Sequence, residues 1–179
     1  MVVALVLGLV VAACTRGEKG PVTAAKPTAA DSADQILFGS RTLITDLGLQ
    51  RAEILTDTTL FYDQNTRMDM RVVRAVFFSS AGAKEGVMTS DFAIYNTSAG
   101  ILEARGHVVI NTIDGRRMVT PFLKYDQRIN QISSDSAFTL TTPDKTVQGV
   151  GFVSDPDMQN INVKKVVRMN AGTVALPNK

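Results

Sequence analysis

The side chains whose types and spacing could do chemistry are few: Asp91, Asp126, Asp135, Asp155, His107 and Cys14. Paired carboxylates are the usual machinery of glycoside hydrolysis, so aspartates spread along a β-rich chain would suit a carbohydrate-active β-helix. Their positions argue otherwise. Asp126 and Asp155 occupy matching places in a sequence repeat, where an aspartate closes a turn. The single histidine, His107, lies on the polar side of its segment and reads as a surface residue. There is no Ser-His-Asp set, phosphate loop or metal motif. One cysteine and one histidine would leave a zinc site resting on carboxylates, which zinc rarely accepts. No catalytic residue, metal or cofactor is expected.

Cys14 has a different meaning. Residues 1–13 are apolar and uncharged, too short for the roughly 20 apolar residues of a membrane span. They suit the apolar region of a signal peptide. Val11-Ala12-Ala13-Cys14 resembles a bacterial lipobox, in which cleavage precedes the cysteine and the cysteine is lipidated. Residues 14–34 are rich in Gly, Pro, Ala, Thr and Ser and read as a flexible linker. The expectation is a signal peptide over 1–13, a lipid anchor at Cys14, a linker to 34, one folded domain over 35–170 and a tail over 171–179.

The elements that would position these residues are organised by a repeat. Met88-Thr89-Ser90-Asp91-Phe92-Ala93-Ile94-Tyr95 recurs 30 residues later as Met118-Val119-Thr120-Pro121-Phe122-Leu123-Lys124-Tyr125. Further copies start near Leu55 and Val147. A fixed period of this kind marks one supersecondary unit laid beside the next. Segments such as Met68–Phe78, Ile101–Thr112 and Gln131–Thr141 alternate with period two and are separated by turn signals, Asp114-Gly115 among them. No segment has a helical period, so the chain is expected to be all-β and antiparallel. In both copies the apolar parity changes once, after Met88, Ser90 and Phe92 and before Ala93 and Tyr95, and likewise between Phe122 and Leu123, which predicts a bulge or bend in each strand. Two bent sheets around an apolar interior would result, a flattened jelly roll.

The interior row is read as Val72, Val76, Phe92, Leu102, Val108, Ile110, Phe122, Ile132, Phe138, Leu140, Phe152 and Val163. It could be a closed core or a lipid groove. Burying apolar area stabilises either by about 25 cal/mol per Å², so periodicity does not separate them. Small residues in the row (Ala104, Gly106, Ser134, Ser136) would leave space for a guest. Gly149 and Gly151 suggest a bulge or close backbone approach. The first and last strands would be open edges. With a net charge of +2 and no basic, aromatic-interleaved block, nucleic-acid binding has no support.

Asp34-Gln35-Ile36-Leu37-Phe38-Gly39, Leu102-Glu103-Ala104-Arg105-Gly106-His107-Val108-Val109-Ile110, Leu123-Lys124-Tyr125-Asp126, Ile132-Ser133-Ser134-Asp135 and Gly149-Val150-Gly151-Phe152-Val153-Ser154-Asp155 together resemble the LptC family. That family is the periplasmic component of lipopolysaccharide (LPS) export, and its fold is shared by OstA-like proteins. The resemblance spans about 34–169. It implies an OstA-like β-jelly-roll whose apolar groove holds LPS acyl chains. It implies one edge docked on the inner-membrane LPS ABC transporter subunits and the other on an LptA-like periplasmic protein. It places Gly149 near the end that meets partners, with Gly151 beside it. Family members are commonly held by a transmembrane helix, whereas this chain carries a lipobox, which implies lipid anchoring in the periplasm, at the inner membrane. The competing expectation is a structural β-solenoid that polymerises through its edge strands.

Overall fold

The structure is a computed structural model and describes residues 32–171. Cys14, the signal-peptide region, most of the linker and the tail beyond 171 lie outside the described residues.

Among the described residues, nine strands form one antiparallel sheet in simple meander order: β1 (Gln35–Asp46), β2 (Leu49–Tyr62), β3 (Arg67–Phe78), β4 (Lys84–Asn96), β5 (Ile101–Thr112), β6 (Arg117–Asp126), β7 (Gln131–Thr141), β8 (Lys145–Ser154) and β9 (Asn162–Ala171). The sheet does not close, so β1 and β9 are edges. Ile36 and Thr42 lie on one strand, β1, which is interrupted at Gly39.

The two expected sheets are halves of this one sheet, folded along a crease that crosses every strand. Cross-strand pairing lapses at the same level throughout: at Gly39 opposite Asp57, at Asp57 opposite Val72, at Gly106-His107 opposite Pro121, and at Asp135-Ser136 opposite Gly151. Left-handed backbone marks the crease at Gly39, Val72, Gly106, His107 and Gly151. The first half-sheet contains residues 35–38, 58–62, 67–71, 92–96, 101–105, 122–126, 131–134, 152–154 and 162–163. The second contains 40–46, 49–56, 73–78, 84–90, 108–112, 117–120, 137–141, 145–150 and 165–171.

The halves face each other over one apolar core. Phe77 of the second half meets Tyr125 of the first with ring centroids 5.2 Å apart, and Phe138 meets Phe152 at the same separation. Both pairs have the tilted or edge-on geometry that aromatic rings favour. The parity changes read in β4 and β6 are real. Met88 and Ser90 point inward and so do Ala93 and Tyr95; Met118 and Thr120 do likewise with Leu123 and Tyr125.

Candidate lipid-binding interior

Most of the sequence-read row converges in the core. Leu102, Val108, Ile110, Ile132, Phe138, Leu140 and Phe152 are buried members of one cluster, and Val163 packs against it half-buried. Four residues do not join it. Val72 is 68% exposed because its left-handed backbone (φ 50) switches the parity of β3, so that Val73, Ala75 and Phe77 point inward instead. Phe92 is 52% exposed and Phe122 half-buried, because the parity change in β4 and β6 comes just before them. They lie on the outer face in an alternating cross-strand row, Arg71–Phe92–Arg105–Phe122. The guanidinium of Arg71 lies 5.9 Å from the Phe92 ring centre and that of Arg105 5.6 Å from Phe122, a cation–π arrangement that gives these rings partners outside the core. Val76 is buried, but by strand alternation it lies on the side of β3 opposite Ala75 and Phe77, and outside the cluster.

The crease is stitched from inside by hydroxyls. Ser90 Oγ donates to Phe92 O (3.0 Å), and its repeat equivalent Thr120 Oγ1 reaches Phe122 O and Ala137 O (3.1 Å each). Ser134 Oγ donates to the same Phe122 O at 2.7 Å. The bonds from Thr120 to Ala137 O and from Ser134 to Phe122 O bridge the widest lapse in the ladder, between β6 and β7. At the other end of the crease Ser40, Thr56 and Thr59 form a triangle of 2.7 Å hydroxyl contacts. Buried polar groups require such partners. Ser134 therefore serves the crease rather than leaving space for a guest. A Cβ at Gly106 would lie 2.5 Å from Asp91 Oδ2, so Asp91 already fills that place.

Asp91 also meets His107 Nδ1 at 2.7 Å, with the imidazole 91% exposed on the outer crease. Asp135 pairs with Lys164. Asp126 accepts from the Arg128 N–H (3.1 Å) and Asp155 from the Asn160 N–H (3.1 Å), both as turn formers. These aspartates are divided between crease and turns. Gly149 is buried: a Cβ there would sit 2.7 Å from Lys165 O of the edge strand and 2.8 Å from the Phe138 ring. Gly151, at φ 73, lies against the Lys164 side chain. Both glycines therefore set how closely β8 approaches the β9 edge.

Opposite the crease, the far ends of the two halves meet at a seam, which sequence reasoning missed. On the β1 side, Gln127 Nε2 donates to Thr45 O (2.7 Å), while Tyr95 Oη donates to Gln127 Oε1 (2.8 Å). On the β9 side, the β8–β9 connection folds across the gap. Arg116 donates from Nη1 to Met158 O and from Nη2 to Gln159 Oε1 (2.8 Å), and Gln159 Nε2 donates to Asp114 Oδ2 (3.0 Å). Met158 is 1% exposed and belongs to the core.

Charge is buried under this strap. Burial, then the nearby Asp157 and Asp155 carboxylates, push Glu85 above its usual range, and Arg51 offsets only part of this. Glu85 Oε2 and Arg51 Nε are buried without a hydrogen-bond partner. Burial and Asp155 likewise raise Asp157. Burial pushes against the charge of Asp155 too, but the Asn160 side chain and N–H hold it below the usual range. Burial lifts the Tyr125 phenol to about 12.

Among solved structures, the chain is similar to LptH, the LptA-homologous periplasmic component of the conserved lipopolysaccharide transport device from Pseudomonas aeruginosa. The two are 12% identical with a TM-score of 0.51, and the match covers 70% of this chain and 95% of that one. At this identity the likeness establishes the fold, an OstA-like β-jelly-roll. The family described as Lipopolysaccharide-assembly, LptC-related matches residues 1–171, and the chain belongs to the LptC family. No curated protein sequence matches it. Membership gives the chain a role in LPS transport as a non-enzymatic periplasmic component, and it implies interactions with LPS and an LptA-like bridge. No helix among the described residues is long and apolar enough to cross a membrane.

Proposed function

We propose that the chain binds LPS acyl chains between its two half-sheets and passes them from the inner-membrane ABC transporter to the LptA-like bridge. The observation that supports this most is the continuous apolar column from Ile44 and Ile54 through Leu102 and Ile110 to Phe138 and Phe152, which runs across the sheet between two open edges. An acyl chain entering it exchanges apolar protein contacts for apolar lipid contacts. The exchange is nearly balanced in free energy, which suits a carrier that must also release its cargo.

Edges β1 and β9 supply the docking surfaces by β-augmentation. Ile36, Leu37 and Phe38 on β1 and Val166, Val167 and Met169 on β9 are exposed apolar residues beside unpaired strand edges. Gly149 and Gly151 act on the second surface through the position of β9. Lipidation at Cys14, with residues 15–34 as tether, would hold the domain at the inner membrane.

A photoreactive phenylalanine analogue at Phe138 should form an LPS adduct. Adducts only at an outer position such as Arg105 would overturn the interior reading. The filled core and apolar edges also favour one competitor, a self-associating β-solenoid. Concentration-dependent filaments without any LPS adduct would establish that instead.

A further inference from the structure

Among the described residues the core between the half-sheets is closely packed, and two sets of side-chain contacts span the seam. These contacts are unequal. The Gln127 clasp on the β1 side is short and sits on a turn whose chain is also held by the Gln127 N–H to Gly100 O. The β9 side is closed by a loop, residues 155–161, that belongs to the first half-sheet and is pinned to the second chiefly through Arg116 and Gln159. Met158 seals the core there with its backbone in the left-handed region (φ 57), a conformation methionine rarely takes. Burial, and after it the nearby Asp155 and Asp157 carboxylates, disfavour the charge of Glu85 on the second half-sheet, with Arg51 offsetting part of this. A left-handed methionine backbone, buried charge without a hydrogen-bond partner at Glu85, and a strap pinned through Arg116 and Gln159 are the parts of an element held closed against a tendency to open.

We infer that residues 155–161 form a latch over the interior, held shut by Arg116, and that its release admits acyl chains beside the β9 edge. This rests on the proposed binding of acyl chains between the half-sheets. Arg116 donates to both Met158 O and Gln159 Oε1, so its loss frees the strap at two points. Opening swings Met158 out of the core and leaves an apolar slot of methionine size next to Leu140 and Ile161, at the seam end of the column that continues to Phe138. It also places the slot at the same end of the sheet as the exposed β9 residues, so entry or exit of lipid and contact with a partner are adjacent. A partner that draws Arg116 or the loop toward itself would open the slot where the cargo is needed.

The test uses the full chain with the photoreactive phenylalanine analogue at Phe138 and purified LPS. Arg116→Gln should raise the rate of adduct formation by roughly tenfold, the factor expected for losing a charge-assisted hydrogen bond. Gln159→Ala, which leaves the bond to Met158 O in place, should raise it less; it decides the matter if Arg116→Gln loses its β-sheet circular dichroism. Equal rates in wild type and the folded variants would overturn the latch and leave the acyl-chain reading standing. No adduct in any of them would overturn that reading, and the latch with it.

Discussion

The crease and the seam are the two long sides of the same sandwich, and they are built differently. At the crease the chain itself crosses from one half-sheet to the other nine times, and Ser90, Thr120 and Ser134 tie the bends from within. At the seam no strand crosses. The halves are joined there by two small groups of polar side chains, Gln127 on one side and Arg116 with Gln159 on the other. Hydrophobic contact holds the faces together along both sides. The difference teaches that if this fold opens, it opens at the seam and hinges at the crease.

Breaking the contact that both sides share should have the largest effect. Phe77→Ala removes a ring that spans the halves to Tyr125, and it should cost about 3–5 kcal/mol in urea unfolding. The next test separates the two sides. Thr120→Val keeps the shape but removes the hydroxyl that reaches Ala137 O across the crease, while Ser134 still serves Phe122 O, an expected loss of about 1–3 kcal/mol. Gln159→Ala cuts only exposed seam bonds, to Arg116 and Asp114, and should cost less than about 1 kcal/mol. A reversed order in the same unfolding assay would refute the contrast.

The smallest effect has the opposite sign. Glu85 titrates above its usual range in the folded chain, so its charged form is disfavoured by folding. The penalty is complete above the raised folded pKa and is relieved as pH falls through it into the ordinary carboxylate range. Glu85→Gln should therefore raise Tm at pH 7 by about 1–3 °C, solvent screening keeping the gain small, and the advantage should shrink on acidification. A variant no more stable than wild type at pH 7 would show that the acidic group under the strap carries no strain.

Much of the architecture was legible because alternation and turn chemistry are local. The Met88/Ser90 to Ala93/Tyr95 switch, and its copy in β6, announced the bend before any coordinates. The side on which the switch releases Phe92 and Phe122 was not legible, since a large aromatic looks like core until Arg71 and Arg105 are found across the ladder from it. Val72 gave no signal at all: a β-branched residue in the left-handed region contradicts its own preference. The seam was invisible for a different reason. Asp155-Pro156-Asp157 reads correctly as a turn, but nothing local says that Met158 then enters the core or that Arg116, far back in the chain, holds it.

Hydrogen–deuterium exchange with and without purified LPS tests the central contrast most directly. With LPS bound, uptake should rise in residues 112–118 and 154–162 at the seam and stay unchanged in residues 103–107 at the crease. A rise confined to the crease, or no change at the seam under conditions where LPS is bound, would contradict the account.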